Sequence, residues 1–511
     1  MHRRKFLWLT GAATAAAAST PSIFAAETPV ELTLHDDPDG PEIPLTYAGL
    51  SYELSQLSDP AFFSSDNADL VAYFRLLSPH GVLRVGGNTS EFCWFKANAS
   101  TPEPKLHVPE GNLDANWMPH RLFEIKPEAI DSLAGFLRAT GWRLIYGVNF
   151  GNSTPERAAE EAAYVAEKIG DRIEFFQIGN EPDLYTKASN GTRPAGWTFA
   201  DYVREWAQFA DAIVARVPNA KFGGPDVAAS SDWVTRFSAE VPEPIASRLV
   251  ALTGHYYAEG PPDDPRVTIE RLLKGNPRVA TETREIVAAA RATHRTYRMS
   301  EGNSCYRGGK PGMSDALAGA LWAGDYMLEL ASLGCVGVNL HGGRSEFLTA
   351  GLGGHTPGME VAKTPQAASN GFYTPIRSER GQTVKAMPVF YGMVLANQLA
   401  GCKVMHAECD WHSVNATAYA ARGADGIRVA MFNKDAAAPV QLTIRGDLHS
   451  RSAKVWRLRG SSLDATEGVS LAGEAIEPHA RWTPRAETAQ VRDGAMQISV
   501  PAGSAALLFL S

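Results

Sequence analysis

The chain has 511 residues, of which 44% are hydrophobic, 9% aromatic and 20% charged. This is the composition of an ordinary folded protein, not of a disordered or collagen-like one. Its 48 lysines and arginines stand against 56 aspartates and glutamates, which gives a formal net charge of −8. That balance argues against a nucleic-acid partner held by a basic surface. The length exceeds one typical domain and favours one large and one smaller domain.

Residues 1–26 have the pattern of a removable export signal. Arg3 and Arg4 give a positive start, and an alanine-rich apolar run with small residues at its end follows. The arginine pair resembles the twin-arginine type, although His2 stands where Ser or Thr is usual, so the Sec route stays open. The run is too polar to favour a membrane anchor. We therefore expect an exported protein, periplasmic or extracellular, without membrane contact once the signal is removed.

Eight short apolar runs, most of them followed by a segment with helical spacing, predict a (β/α)₈ barrel, or TIM barrel, over residues 46–400. The predicted strands are Tyr47–Tyr52, Val82–Gly86, Arg143–Val148, Ile173–Gly179, Lys221–Gly224, Val250–Tyr256, Tyr297–Ser300 and Cys335–Leu340. The predicted helices are Ala68–Leu77, Pro127–Arg138, Pro155–Ile169, Phe199–Ala215, Glu282–His294, Ser314–Leu333 and a last one around Pro388–Leu399.

Residues 401–511 show short alternating runs that are typical of a β-sandwich. The predicted strands there are Thr417–Ala421, Ile427–Phe432, Val440–Ile444, Ala453–Leu458, Met496–Val500 and Ala505–Leu510. Residues 27–45 hold a run of the same character, Val30–Leu34, which we expect to join the sandwich as a strand. Two long irregular stretches, Asn98–Asn116 and Gly342–Val384, follow predicted barrel strands at the face where barrel active sites lie, and predict loops that line a cleft.

The sequence lacks several common catalytic motifs. It contains no Gly-x-Ser-x-Gly elbow, no His-Glu-x-x-His and no Cys-x-x-Cys pair. Neither a metal site nor a cofactor is therefore expected. Carboxylates are the remaining candidates for chemistry.

Two glutamates stand at the predicted ends of barrel strands four and seven. The fourth strand leads directly into Asn180-Glu181-Pro182, and Glu301 ends the seventh strand. A buried glutamate can protonate a leaving oxygen, and Asn180 can hydrogen-bond a sugar hydroxyl beside the bond that breaks. Two carboxyl groups about 5–5.5 Å apart would let one attack an anomeric carbon while the other protonates the leaving group, with retention of configuration.

Five motifs together resemble glycoside hydrolase family 79, and the resemblance spans roughly residues 30–511. It implies a (β/α)₈ barrel with a β-sandwich and an activity of the β-glucuronidase or heparanase-like kind. Carried over by position, it makes Glu181 the acid/base and Glu301 the nucleophile. The motifs are Leu83-Arg84-Val85-Gly86-Gly87-Asn88, Ile178-Gly179-Asn180-Glu181-Pro182, His255-Tyr256-Tyr257, Ser300-Glu301-Gly302-Asn303-Ser304 and Asn339-Leu340-His341-Gly342-Gly343.

The same resemblance implies a pocket for glucuronate. Glu53, after the first strand, and Asn88, just beyond the second, would hydrogen-bond sugar hydroxyls. Tyr256 or Tyr257, at the end of the sixth strand, would bond to the nucleophile, and the sequence does not say which of the two points inward.

Two more tyrosines and a histidine complete the predicted pocket. Tyr306 matches a tyrosine that helps to bind the sugar carboxylate in the family, and Tyr373 is a second candidate hydroxyl. Packing is the alternative role for both. His341 would contact the substrate or support the barrel, and Arg84 has the features of a buried structural residue.

The expected function is that of a retaining exo-β-D-glucuronidase, acting on β-glucuronides or on the ends of glucuronate-containing glycans. The alternatives are an endo-β-glucuronidase that cuts acidic polysaccharides, a β-xylosidase or β-glucosidase of the same clan, and an inactive carbohydrate binder. The loop Asn98–Asn116 carries Lys105 as its only Lys or Arg, against Glu103, Glu110 and Asp114. That charge disfavours a heparin-like chain.

Overall fold

Eight parallel strands close on themselves in the computed structural model, which describes residues 28–105, 122–186, 192–351, 355–356, 359–360, 371–448 and 450–511. Each strand pairs with the one before it in the chain, and the eighth pairs with the first, so the predicted (β/α)₈ barrel is confirmed. The strands are Ala48–Glu53, Val82–Gly86, Arg143–Val148, Ile173–Ile178, Phe222–Val227, Leu249–Glu259, Thr296–Cys305 and Val338–Gly342.

Helices cover the outside of the barrel and connect its strands. They are Ala68–Leu77, Pro127–Thr140, Pro155–Ile169, Phe199–Arg216, Ser231–Glu240, Ile269–Lys274, Arg278–Ala292, Leu317–Ser332, Ser345–Gly351 and Pro388–Asn397. Among the described residues, no helix combines the length and the apolar character needed to cross a bilayer. The sequence pattern did not indicate Ser231–Glu240, a short helix rich in Ser, Thr and charged residues.

Three sequence-based expectations concern segments that the structure describes only in part or not at all. The expected export signal, residues 1–26, lies outside the described residues. The loop Asn98–Asn116 is described up to residue 105. The stretch Gly342–Val384 is described in pieces, and it contains the helix Ser345–Gly351, so it is not irregular throughout.

The interior of the barrel changes from apolar to polar along its strands. Val82 and Phe175 belong to a small apolar cluster between the second, third, fourth and sixth strands. Two residues further along, on the same side of each strand because side chains alternate with period two, stand Arg84 and Gln177. Their side chains hydrogen-bond each other, with Arg84 Nε donating to Gln177 Oε1 at 2.8 Å. The polar layer therefore begins directly below the carboxyl ends of the strands.

The C-terminal strands form a sandwich that also takes in the N-terminal strand, as the sequence predicted. Thr28–His35 runs parallel to Val440–Arg445 and antiparallel to Lys403–Cys409. The other strands are Ala416–Gly423, Gly426–Asn433, Ser452–Arg459, Ser470–Leu471, Glu487–Arg492, Ala495–Val500 and Ser504–Leu510. The pattern missed Lys403–Cys409 and Glu487–Arg492, and the second of these is mostly exposed and therefore has few apolar residues.

A buried ion pair joins the sandwich to the barrel. Asp325, on the helix Leu317–Ser332 that follows the seventh barrel strand, accepts a hydrogen bond from Lys434 Nζ at 2.5 Å. The same carboxylate accepts hydrogen bonds from Thr417 Oγ1 at 2.5 Å and Tyr419 OH at 2.8 Å. Because these additional donors satisfy the buried carboxylate, the sandwich holds the helix that follows the strand of Glu301.

The N-terminal strand should contribute measurably to stability. Leu32 is fully buried in the hydrophobic cluster of the sandwich. Leu32→Ala should lower the free energy of unfolding by about 2–5 kcal/mol, because it leaves a cavity there. Chemical denaturation measures the change. The matched control is the neighbouring exposed Glu31, whose surface ion pair with Arg445 predicts a loss below about 1 kcal/mol for Glu31→Ala. Equal effects of the two substitutions would contradict this role of the strand.

Candidate active site

Glu301 is buried within the seventh barrel strand, which continues beyond it to Cys305, so Glu301 does not end the strand as the sequence predicted. Its Oε1 accepts a hydrogen bond from Tyr257 OH at 2.8 Å, and its Oε2 accepts one from Arg84 Nη1 at 2.5 Å. His341 Nδ1 lies 3.6 Å from the same Oε2. Both carboxylate oxygens therefore face donors, which is the environment of an ionised carboxylate.

Glu181 follows the fourth strand, with its backbone in the left-handed region at φ 50° and ψ 51°. Its N–H donates to the backbone carbonyl of Asp226 at 2.9 Å, which ties the turn to the fifth strand. Its Oε1 lies 3.0 Å from His255 Nδ1. Non-glycine residues in this backbone region are uncommon and persist where the surroundings hold them, often at functional sites.

The two glutamates face each other across the barrel mouth. One carboxylate oxygen of Glu181, one of Glu301 and one ring nitrogen of His255 all lie within 4.8 Å of one another. Carboxyl pairs that leave room for a water between them are about 6.5–9.5 Å apart. In this pair, one oxygen of each carboxylate lies within 4.8 Å of one oxygen of the other.

The same three residues offer the atoms that a metal ion would need, but their protonation does not suit one. Burial acts to lower the pKa of His255, but the charges of Asp226 and Glu301 raise that pKa to about 10. A protonated imidazole has no lone pair to give to a metal ion. Arg84 already occupies one oxygen of Glu301. The three residues therefore form a charge cluster, in which His255 Nδ1 contacts Glu181 and the charge of His255 acts on Glu301.

The surroundings push the pKa values of the two glutamates in opposite directions. Burial acts to raise the pKa of Glu301, but His341, His255 and Arg84 outweigh burial and lower it. Burial raises the pKa of Glu181, and the nearby charge of Glu301 adds to that rise. Glu301 is therefore ionised where Glu181 still holds its proton, and such a pair can divide the roles of nucleophile and acid.

Arg84 has a larger role than the structural one that its position in a strand indicated. Its guanidinium is 1% exposed and bridges the strands that carry the two glutamates. Besides the bond to Glu301, the guanidinium donates to Asp226 Oδ2 at 2.6 Å, Asn180 Oδ1 at 2.8 Å, Gln177 Oε1 at 2.8 Å and Ser51 Oγ at 3.0 Å.

Sequence reasoning missed Asp226 and Glu91. Asp226 ends the fifth strand, and its position at the carboxyl end of a barrel strand was a signal for it. Glu91 is buried three residues beyond Asn88, where it accepts the Asn180 N–H at 2.8 Å and the Tyr185 hydroxyl at 2.5 Å. Glu91 thus fixes the backbone just before Glu181 from a neighbouring loop.

The structure brings several predicted pocket residues together beside the glutamates. Asn180 Nδ2 donates to Asn88 Oδ1 at 3.0 Å. Glu53 accepts two hydrogen bonds from Thr89, through its N–H at 2.8 Å and its hydroxyl at 2.7 Å. His341 Nε2 lies 3.4 Å from Glu53 Oε1. Because His341 Nδ1 faces Glu301, this histidine lies between the predicted hydroxyl-binding glutamate and Glu301.

The four predicted tyrosines differ in their positions. Tyr257 contacts Glu301, whereas Tyr256 stacks on Tyr326 with ring centroids 5.3 Å apart and makes no described bond to either glutamate. Tyr373 is buried, with its ring 6.2 Å from that of Tyr257. Tyr306 is 36% exposed at the rim, where its ring edge packs on Tyr257. The structure therefore brings Tyr257 and Tyr373 to the site and leaves Tyr306 at its edge.

Comparison with known proteins agrees with this fold. Residues 418–507 match the glycosyl hydrolase family 79 C-terminal beta domain. A β-glucuronidase of Aspergillus niger is 25% identical over 334 residues, which is 60% of each chain. A β-glucuronidase of Neurospora crassa is 26% identical over 368 residues, or 64% of this chain and 62% of that one. The match thus spans about three fifths of the relatives' length.

Solved structures share the fold. A 4-O-α-L-rhamnosyl-β-D-glucuronidase from Fusarium oxysporum 12S superimposes with a TM-score of 0.73 at 18% identity, covering 94% of this chain and 100% of that one. The GH51 arabinofuranosidase from Xanthomonas axonopodis pv. citri gives a TM-score of 0.63 at 15% identity, covering 95% of this chain and 100% of that one.

A barrel with a sandwich and two facing carboxylates on or just after strands four and seven is an arrangement found in glycoside hydrolases. Within that class, the chain resembles glycoside hydrolase family 79, whose C-terminal domain model matches residues 418–507.

The hydrogen bond from Tyr257 should help to keep Glu301 ionised. Tyr257→Phe removes a donor that lowers the pKa of Glu301, so activity should be lost at a higher pH on the acidic side. The apparent pKa of the acid limb in the pH profile of kcat/KM, measured with an aryl β-glycoside, should rise by about one unit. The reason is that a hydrogen bond to a charged group contributes about 1.5–3 kcal/mol. Tyr256→Phe is the matched control and should leave that limb in place. An identical shift in both variants would contradict the assignment.

Proposed function

We propose that the protein is a retaining exo-β-D-glucuronidase in which Glu301 is the nucleophile and Glu181 the acid/base. The observation that carries the proposal is the pair of facing glutamates, within 4.8 Å of each other, whose pKa values are moved apart. Retaining glycosidases need that pairing, because one carboxylate attacks while the other protonates.

In the first step, Glu301 attacks the anomeric carbon. The glycosidic bond breaks as Glu181 gives its proton to the departing oxygen, which leaves a glycosyl ester on Glu301 and an ionised Glu181. In the second step, Glu181 takes a proton from a water molecule as the water oxygen attacks the same carbon and releases Glu301. Two inversions leave the β configuration unchanged, and Glu181 is protonated again.

The surrounding residues prepare both carboxylates for these roles. Arg84 and Tyr257 each donate to one oxygen of Glu301, which keeps it ionised and fixes its orientation. When Glu301 forms the ester, the pKa of Glu181 loses the raising effect of that negative charge. The fall in pKa suits the change of Glu181 from acid to base between the two steps.

Glucuronate is the proposed sugar. Support comes from the two curated relatives, which are β-glucuronidases, and from phenolic groups beside Glu301. Tyr373 is the nearer candidate for the sugar carboxylate, with Tyr306 at the rim. Tyrosine hydroxyls donate to a carboxylate without adding positive charge, which fits the acidic chain. Glu53 and Asn88 are the proposed partners of the sugar hydroxyls.

The charge of one long loop bears on the exo mode of action. The acidic loop Asn98–Asn116 supports it against the endo alternative, because a cleft for a polyanion normally carries basic residues. A β-xylosidase or β-glucosidase would use the same two glutamates, so substrate comparison is the test that separates the candidates.

Initial rates on matched aryl β-glycosides should show a clear preference for the glucuronide over the galacturonide, glucoside and xyloside. A faster glucoside or xyloside would contradict the glucuronate pocket while leaving the two glutamates in their roles. If no aryl glycoside reacts and a glucuronate-containing polysaccharide is cut internally, the enzyme is endo-acting.

Replacement of Glu181 should affect substrates according to their leaving groups. Glu181→Ala removes the proton donor, so rates on substrates with poor leaving groups should fall about 10²–10⁴-fold. The rate of glycosidic bond cleavage in an aryl glycoside with a good leaving group should fall much less. Added azide should restore turnover, because azide attacks the glycosyl ester without needing a base. The product would be a β-glycosyl azide, detectable by NMR. Glu301→Gln is the comparison, and azide should not give the β product there.

A further inference from the structure

Asp226, the residue that sequence reasoning missed at the end of the fifth strand, lies between the groups that hold the two glutamates. It is 1% exposed and lies below the open part of the site. It has no direct bond to the carboxylate of Glu181 or of Glu301 among the described contacts. Its partners are instead the residues that contact those carboxylates.

The two oxygens of Asp226 serve opposite sides of the barrel. Oδ2 accepts a hydrogen bond from Arg84 Nη2 at 2.6 Å, and the other nitrogen of that guanidinium bonds to Glu301. Oδ1 lies 3.1 Å from His255 Nε2, an ion-pair distance without hydrogen-bond geometry, and the other ring nitrogen of that histidine faces Glu181. One carboxylate therefore reaches both catalytic groups, each through one intermediate cation.

Two further contacts fix the Asp226 carboxylate, and one contact fixes the backbone beside it. Gln177 Nε2 and Ser300 Oγ each donate to Oδ1 at 2.5 Å. The backbone carbonyl of Asp226 accepts the N–H of Glu181. Both Asp226 and Glu181 have left-handed backbones, with φ of 63° and 50°, a region that non-glycine residues rarely adopt. The two unusual turns hold each other in place.

We propose that Asp226 is the positioning residue that orients both catalytic glutamates at once, the nucleophile through Arg84 and the acid/base through His255. The proposal rests on the proposed function for its kinetic consequences. Asp226 does not touch the substrate, so its effect on catalysis is carried by the placement and charge of its two partners.

The charge of Asp226 also favours the charged form of His255. Burial acts to lower the pKa of His255, and Asp226 is the largest influence in the opposite direction. The His255 cation in turn lowers the pKa of both glutamates. The titratable groups that face this cluster are Arg84 from the second strand, Glu181 and Asp183 after the fourth, Tyr202 from the helix Phe199–Arg216, His255 and Tyr257 from the sixth strand, Glu301 from the seventh and His341 from the eighth.

The test is Asp226→Asn, which keeps the shape of the side chain and removes its charge. We expect kcat to fall about 100-fold with little change in KM, the loss typical of a misplaced catalytic group. Without Asp226 to raise its pKa, buried His255 loses its proton, and both glutamates lose the lowering effect of that cation. Both limbs of the kcat/KM profile, Glu301 on the acid side and Glu181 on the basic side, should therefore move to higher pH.

Glu161→Gln is the matched control. Glu161 is also a buried carboxylate, bonded to Tyr146 OH at 2.6 Å, but it lies on the helix Pro155–Ile169, outside the site. Its neutralisation should leave both limbs in place. Asp226→Asn could instead lower stability or kcat while both limbs of the kcat/KM profile keep the apparent pKa values of the native enzyme. In that case Asp226 has only a structural role and the proposal is wrong.

If Asp226→Asn does not fold, the proposal can still be tested by NMR on the native protein, which requires no activity assay. In the native protein labelled with ¹⁵N-histidine, the His255 resonances are assigned by their loss in His255→Gln. They should be those of an imidazolium at pH 7, because the pKa of His255 is raised to about 10. A neutral His255 at pH 7 would overturn the proposal. The native protein's lack of activity on every glycoside would instead contradict the proposed function, and the NMR result would stand independently.

Discussion

The buried guanidinium of Arg84 is the constraint on which the rest of the site depends. Burying a cation inside a barrel is strongly unfavourable unless carboxylates pair with it. The carboxylate oxygens of Asp226 and Glu301 lie 2.6 and 2.5 Å from the guanidinium nitrogens of Arg84. Glu301 therefore remains ionised although it is buried. Glu181 then lies close to a fixed negative charge, which helps it to keep its proton. One buried ion cluster thus assigns different protonation states to two residues of the same type.

The barrel makes this cluster possible because parallel strands end at the same edge. Period-two alternation places Arg84 and Gln177 inside the barrel, one layer above the apolar residues Val82 and Phe175. The strand ends then carry Glu181 and Glu301 to opposite sides of the mouth. The sandwich supports this arrangement from outside, since its buried ion pair holds the helix behind the seventh strand.

Much of the fold and both glutamates could be predicted from the sequence, since strand periodicity and residues at strand ends are local features. The network between them could not. Arg84 was assigned a structural role because a buried arginine has no sequence feature that names its partners. Asp226 was missed because its importance comes from contacts with residues up to 142 positions away. The choice between Tyr256 and Tyr257 likewise required the orientation of the sixth strand, which only the three-dimensional structure supplies.

The most direct test of this account is to trap the glycosyl ester. The protein would be incubated with 2-deoxy-2-fluoro-β-D-glucuronyl fluoride, which slows release of the ester, and its peptides analysed by mass spectrometry. One sugar is expected on the peptide that contains Glu301, and none after Glu301→Gln. Attachment to Glu181, or hydrolysis that first releases the α-anomer with no trapped ester, would contradict it.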